Sequence, residues 1–168
     1  MILYRIAETK DAEKIAHLHA QNWQTHYRGN FNDEYLNGPV FGERLVVWKE
    51  RFIHPEPGQH VILAEVNGEC CGFLCLFLDK DPEWGSYIDN IHVATDFSGH
   101  GIGKKLMAMA ADYIRQHSKM DKYYLWVLTN NQNAIAFYER IGGKIAGTKI
   151  KDDPSGGKSE VYRIVWNF

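Results

Sequence analysis

The stretch that most restricts how this chain can fold is residues 87–117, where a strand-like run, a glycine-rich turn and an amphipathic helical run follow in quick succession. Tyr87-Ile88-Asp89-Asn90-Ile91-His92-Val93-Ala94 is rich in β-branched and aromatic residues, as a strand requires. Ile102, Leu106, Ala110, Tyr113, Ile114 and His117 recur at helical spacing, with Lys104, Lys105, Asp112 and Arg115 mostly on the other face. Between them lies Ser98-Gly99-His100-Gly101-Ile102-Gly103. Its glycines allow backbone N–H groups to converge on one point, and the following helix adds unpaired N-terminal donors and the positive end of its dipole. Such a turn is a cradle for an anion, above all phosphate.

The nucleotide-binding patterns fit this turn poorly. A Walker loop needs a glycine five residues before Gly103 and a Ser or Thr after the lysine, but the chain has Ser98 and Lys104-Lys105. A dinucleotide fingerprint needs a third glycine where Leu106 stands, and no acidic ribose partner follows a second strand at the expected distance.

A second motif lies downstream. Leu125-Trp126-Val127-Leu128 is a short apolar run, Thr129-Asn130-Asn131-Gln132-Asn133 supplies turn and capping chemistry, and Ala134, Phe137, Tyr138 and Ile141 mark one helical face before Gly142-Gly143. In order and spacing the two motifs resemble the signatures of the GNAT acyltransferases. Their pyrophosphate loop runs Gln or Arg, two residues, Gly, one residue, Gly or Ala. Here Gly101 and Gly103 match, and Ser98 stands in the Gln or Arg position. The family's second signature is matched at Asn131, Ala134, Phe137 and Tyr138.

The rest of the chain reads in the same order as that family. A strand at 2–7 leads to a helix at about 11–24, an irregular aromatic stretch at 23–37 and a helix at 43–52. Asn67-Gly68 joins the apolar runs 61–66 and 70–78 as a two-residue hairpin. Residues 79–86 are a connection, and 144–150 with 161–166 form a closing hairpin. The resemblance covers nearly the whole chain and implies an α/β fold in a single domain, 1–168, with a mixed, mostly antiparallel central sheet and helices on both faces.

It further implies an N-acetyltransferase that passes the acetyl group of acetyl-CoA to a primary amine by direct attack in a ternary complex. Contacts to acetyl-CoA are expected from Ile91, His92, Val93, Ser98, Gly99, His100, Gly101, Ile102, Gly103, Lys104, Asn131, Ala134, Phe137 and Tyr138. Only about one part in a thousand of an alkylamine is free base near pH 7, so a proton acceptor is needed, and the departing thiolate needs a donor. Tyr138 is the candidate donor. Asp89, and Tyr87 through an ordered water, are the candidate acceptors. Strict alternation would put both on the strand face of Ile91 and Val93 and leave His92 on the opposite face, at the sheet surface, unless a bulge intervenes. Trp23, Tyr27 and Trp84 are expected to line the amine pocket, with His26, Tyr35 and Glu83 nearby.

Other classes find less support. A formal charge of −2 carries no nucleic-acid footprint, and no apolar stretch is long enough to span a membrane. Met1-Ile2-Leu3-Tyr4-Arg5 has no signal-peptide pattern, which points to the cytoplasm. Cys70, Cys71 and Cys75 suit neither a disulfide framework nor zinc and read as small buried hydrophobes; the scattered histidines show no metal-binding pattern. The partner expected is a small-molecule or peptide amine, with a homodimer as the assembly the family allows. Two rivals stay open, a noncatalytic acyl-CoA sensor and an unrelated nucleotide-binding module.

Overall fold

The apolar runs 61–66 and 70–78 are nearly unbroken, and in the computed structural model, which describes residues 1–168, they form the middle of a sheet with a core on each face. The elements in chain order are β1 (Leu3–Ile6), α1 (Ala12–His26), α2 (Asp33–Asn37), α3 (Val40–Ile53), β2 (Gln59–Val66), β3 (Glu69–Asp81), β4 (Gly85–Val93), α4 (Ile102–His117), β5 (Lys122–Leu128), α5 (Gln132–Arg140), β6 (Lys144–Asp152) and β7 (Lys158–Asn167). The seven strands form one sheet in the order β1-β2-β3-β4-β5-β7-β6. Every neighbouring pair is antiparallel except β4 and β5. No helix is long and apolar enough to cross a membrane.

Along β2 and β3, Ile62, Ala64, Leu74 and Leu76 face the helices α4 and α5, joining Ile102, Leu106, Met107, Ala110, Ile114 and Ile135. Val61, Leu63, Phe73, Cys75 and Phe77 face the other way, onto Ile15, Ala16 and Leu18 of α1 and Trp48 of α3. Each large side chain so buried is worth about 1.5–3 kcal/mol, which is why register is fixed on both faces at once. The β2–β3 hairpin closes at Asn67 and Gly68, whose φ angles of 52° and 83° suit the tight turn expected there.

Three local readings are corrected. The stretch 23–37 is less irregular than expected: α1 runs on to His26, and Asn32 caps the short α2 by accepting from the Glu34 N–H at 2.7 Å. Residues 79–86 are mostly strand. β3 continues to Asp81 and β4 starts at Gly85, with the Asp81 carboxylate holding the tight turn through the N–H groups of Glu83 and Trp84. The third correction concerns faces. Cys75 pairs with Asn90 but Leu76 pairs with Ile88, so Asp89 is an extra residue, a β-bulge that inverts the alternation beyond it. Ile91 and Val93 therefore pack with Ile88 against the α4 core, and Tyr87 packs against the α1–α3 core.

Candidate active site

The parallel ladder between β4 and β5 is short: Ser86, Tyr87 and Ile88 pair with Tyr123, Tyr124 and Leu125, and no pair follows. Past that point the strands diverge, and a cavity of about 870 Å³ occupies the gap and the groove below it. Ile91 and Val93 of β4 form one wall, Phe137 and Tyr138 of α5 the other, and Ser98, Gly99 and residues 101–104 at the head of α4 close the end.

The glycine turn has the geometry an anion cradle needs. Gly99 and Gly101 have φ of 80° and 77°, conformations that cost an L side chain about 1–2 kcal/mol, and a Cβ at either position would project into open space. Gly101 is the N-cap of the 16-residue α4, whose first amides have no carbonyl a turn earlier to bond. Lys104 and Arg140 add positive charge along the same cavity, and Met107, Ala108 and Ala111 give it an apolar floor. Phosphate at the helix end with an apolar tail along the groove is what this shape and charge suit.

Of the residues expected around acetyl-CoA, Ile91, Val93, Ser98, Gly99, Gly101, Ile102, Gly103, Lys104, Phe137 and Tyr138 line this cavity. His92, His100, Asn131 and Ala134 do not. Asn131 instead caps α5, its side chain accepting from the Ala134 N–H at 3.2 Å. Arg140 was legible only as the basic residue one turn beyond Phe137 on α5; Phe97 and Tyr123 carried no signal in the sequence.

A second cavity, of about 300 Å³, opens on the opposite side of the splay. Trp23, Tyr27 and Phe31 give it an aromatic wall, and Arg44, Arg51, Asp89, Lys151 and Asp153 give it charge. Ile91 and Tyr138 line both cavities, so the two meet at these side chains. Tyr138 is 8% exposed, and burial, with Tyr27 beside it, raises its hydroxyl well above the ordinary tyrosine range. The hydroxyl is protonated at neutral pH. Tyr27 is pushed up to about 12 by burial.

Asp89 and Tyr87 line the second cavity, but not in the surroundings expected of them. The bulge turns Asp89 away from the face of Ile91 and Val93, toward α3, where Arg51 Nη2 donates to its carboxylate at 2.6 Å and Arg51 Nη1 to Asn90 Oδ1 at 3.0 Å. The Tyr87 hydroxyl is raised far above its ordinary value by burial and by neighbouring Asp89. His92 is not at an open sheet surface. Its ring lies 4.6 Å from that of His19 and 5.3 Å from Phe73, and Asn22 Nδ2 sits 3.4 Å from its Nδ1. Burial, then His26, pushes it down to about 3. His19, 1% exposed and hydrogen-bonded at Nδ1 by Trp48 Nε1 at 3.0 Å, is also held well below its usual value by burial. Both imidazoles are neutral at physiological pH. Trp84 lines neither cavity; the Arg163 guanidinium stacks over its ring at 4.1 Å. Cys70, Cys71 and Cys75 are free, and no cluster of His, Cys, Asp and Glu suits a metal ion.

Relatives carry the same plan. The L-amino acid N-acetyltransferase AaaT of Escherichia coli is 27% identical over 154 residues, covering 89% of this chain and 87% of that protein. The crystal structure of PaiA N-acetyltransferase from Thermoplasma acidophilum, in complex with coenzyme A, superposes over 100% of this chain and 99% of that one with a TM-score of 0.79 at 16% identity. That of yncA, a putative acetyltransferase from Salmonella typhimurium with its cofactor acetyl-CoA, covers 99% and 94% with a TM-score of 0.71 at 17% identity. The family model of the acetyltransferase (GNAT) family matches residues 12–143, from the start of α1 past the end of α5. The chain thus belongs to the acetyltransferase (GNAT) family, enzymes that take the acetyl group they transfer from acetyl-CoA.

Proposed function

We propose that the larger cavity holds acetyl-CoA and the smaller one a primary amine, and that the acetyl group passes directly between them at Tyr138. The observation carrying this reading is that Tyr138 and Ile91 line both cavities. A donor thioester lying along β4 and an amine entering from the aromatic side would meet there, and nowhere else do the two linings coincide.

In this reading the N–H groups of residues 99–104 and the charges of Lys104 and Arg140 bind the phosphates of the donor. Backbone N–H groups of β4 near Ile91 and Val93 hold the acyl oxygen as it gains charge. The amine nitrogen forms its bond to the acyl carbon, the carbon–sulfur bond breaks, and the Tyr138 hydroxyl gives its proton to the leaving sulfur. General-acid help of this kind is worth on the order of 10² to 10⁴ in rate. The proton lost by the amine goes through water to Asp89, whose neighbour Tyr87 orients that water.

The test is initial-rate kinetics of thiol release from acetyl-CoA across a panel of amines. Direct transfer gives intersecting lines when both substrates are varied; parallel lines would replace it with an acyl-enzyme route. Binding of coenzyme A with no turnover on any amine would make the chain a sensor. The cytoplasm is the compartment we propose for this reaction.

A further inference from the structure

Lys151 is the only lysine lining the smaller cavity, and the transfer chemistry described above gives it no part. The ladder between β6 and β7 sets where it points. Lys149 pairs with Val161 and Lys151 with Ser159, so these four side chains share one face of the hairpin, the face on which Val161 and Ser159 line the cavity. On that face Lys149 is held, its Nζ 4.1 Å over the Trp126 ring. Lys151, two residues on, lines the chamber itself, in company with Tyr138 and Ile91, where the two cavities meet.

Nothing in the fold takes up the charge of Lys151. Three carboxylates line the same cavity and each is engaged elsewhere: Asp89 with Arg51 at 2.6 Å, Asp152 with Lys158 at 3.9 Å, and Asp153 with the N–H groups of Ser155 and Gly157. Burial, then the charge of neighbouring Lys149, lowers the Lys151 ammonium from the ordinary lysine value, and Asp89 offsets only part of that. The free base, about one part in a thousand for an exposed lysine near pH 7, is therefore better represented here. A half-buried primary amine without an ion pair thus stands in the chamber where amines are to be acetylated, on a flexible four-carbon stem.

We infer that Lys151 is itself an acetyl acceptor: with acetyl-CoA in the larger cavity and no amine in the smaller one, the acetyl group passes to its Nζ. This rests on the acetyl-transfer reading of the two cavities. The neutral Nζ forms the amide bond to the acetyl carbon, the carbon–sulfur bond breaks, and the Tyr138 hydroxyl gives its proton to the departing sulfur. The proton lost by the amine goes through water to Asp89. The products are acetylated Lys151 and coenzyme A as the thiol. Because the amine belongs to the protein, no encounter is needed, and its effective concentration at the junction exceeds that of any lysine on the outside.

The test is incubation of the purified protein near neutral pH with acetyl-CoA carrying a heavy-isotope acetyl group, followed by proteolysis and mass spectrometry. Lys151 should take up label at least about tenfold faster than the exposed Lys49 and Lys119, with a rate constant independent of protein concentration. Desulfo-coenzyme A, which fills the donor groove and has no sulfur to carry an acetyl group, should abolish label at Lys151 and leave the slow background at the two surface lysines. Label at Lys151 that is no faster than at those lysines, that survives desulfo-coenzyme A, or whose rate constant rises with protein concentration, in a protein that acetylates amines from solution, overturns the inference alone. No transfer to Lys151 and none to any amine of a panel overturns it together with the acetyl-transfer reading.

Discussion

Arg51 on α3 donates to the Asp89 carboxylate at 2.6 Å, so the residue that interrupts the alternation of β4 is also the one that ties the strand to a helix packed on it. The part Asp89 plays in holding the bulge has to be separated from the part proposed for it as proton acceptor. Asp89→Asn should lower stability by about 1–3 kcal/mol, since it leaves the Arg51 guanidinium without its counter-charge. Arg51→Gln breaks the same pair and should cost a similar amount. If Asp89 takes the proton of the amine, kcat falls at least tenfold in Asp89→Asn and less than threefold in Arg51→Gln. Equal losses in both variants would make Asp89 a structural residue.

Tyr138→Phe keeps the ring, its packing on Trp166 and the wall shared by both cavities, and removes only the hydroxyl. We expect kcat to fall roughly tenfold to a thousandfold, with little change in coenzyme A affinity. Steady-state kinetics with a parallel binding titration checks this, and unchanged kcat would return Tyr138 to the core.

Gly101→Val puts a β-branched side chain at φ 77° and a Cβ into the open space of the cradle. The strained backbone lowers Tm even without ligand, by a few degrees per kcal/mol in a chain of this size. The informative quantity is therefore the further rise caused by coenzyme A, which should vanish in this variant and persist in the parent. A full ligand-induced rise in Gly101→Val would place the phosphates elsewhere.

The neutral pair His19 and His92 gives the protein an acid limit. Both have folded values below the ordinary 6.5, so below about pH 6.5 the unfolded chain binds protons that the folded chain does not, in the case of His92 down to about pH 3. Their contribution to stability is complete above pH 6.5 and is lost as pH falls. Denaturant unfolding from pH 7 to pH 4 should show ΔG declining with a slope of up to two protons from this pair. His92→Asn should reduce that slope by up to one proton, and an unchanged slope would locate the acid sensitivity in other groups.

The parts of the site that sequence made visible are those built from neighbours along the chain. The turn at 98–103 and the α5 segment carrying Phe137 and Tyr138 each stand within a few residues of a strand, and their local chemistry shows in the order of residues. What sequence concealed depends on long-range pairing. The bulge exists only because Leu76 and Cys75 of β3 take Ile88 and Asn90 as partners, so nothing between 85 and 93 announces it. For the same reason His92 was expected on an open surface, and Trp84 was assigned to a pocket from which Arg163, distant in sequence, holds it away. Arg44, a wall residue of the smaller cavity, was overlooked because a charged residue in a helix reads as a solvated face, and its stacking on Trp23 shows only in the fold.

The single unpaired residue in β4 also bears on how such a chain can diversify. Upstream of Asp89 the strand shows Tyr87 to the acceptor side; downstream it shows Ile91 and Val93 to the donor groove. Without the extra residue the two halves would be in phase, and any change that adapted one wall would displace the other. With it, substitutions on α1, α3 and the first half of β4 can reshape the smaller cavity, where we propose the amine binds, while the larger groove stays fixed. Deleting one codon at position 89 would erase that independence in a single step.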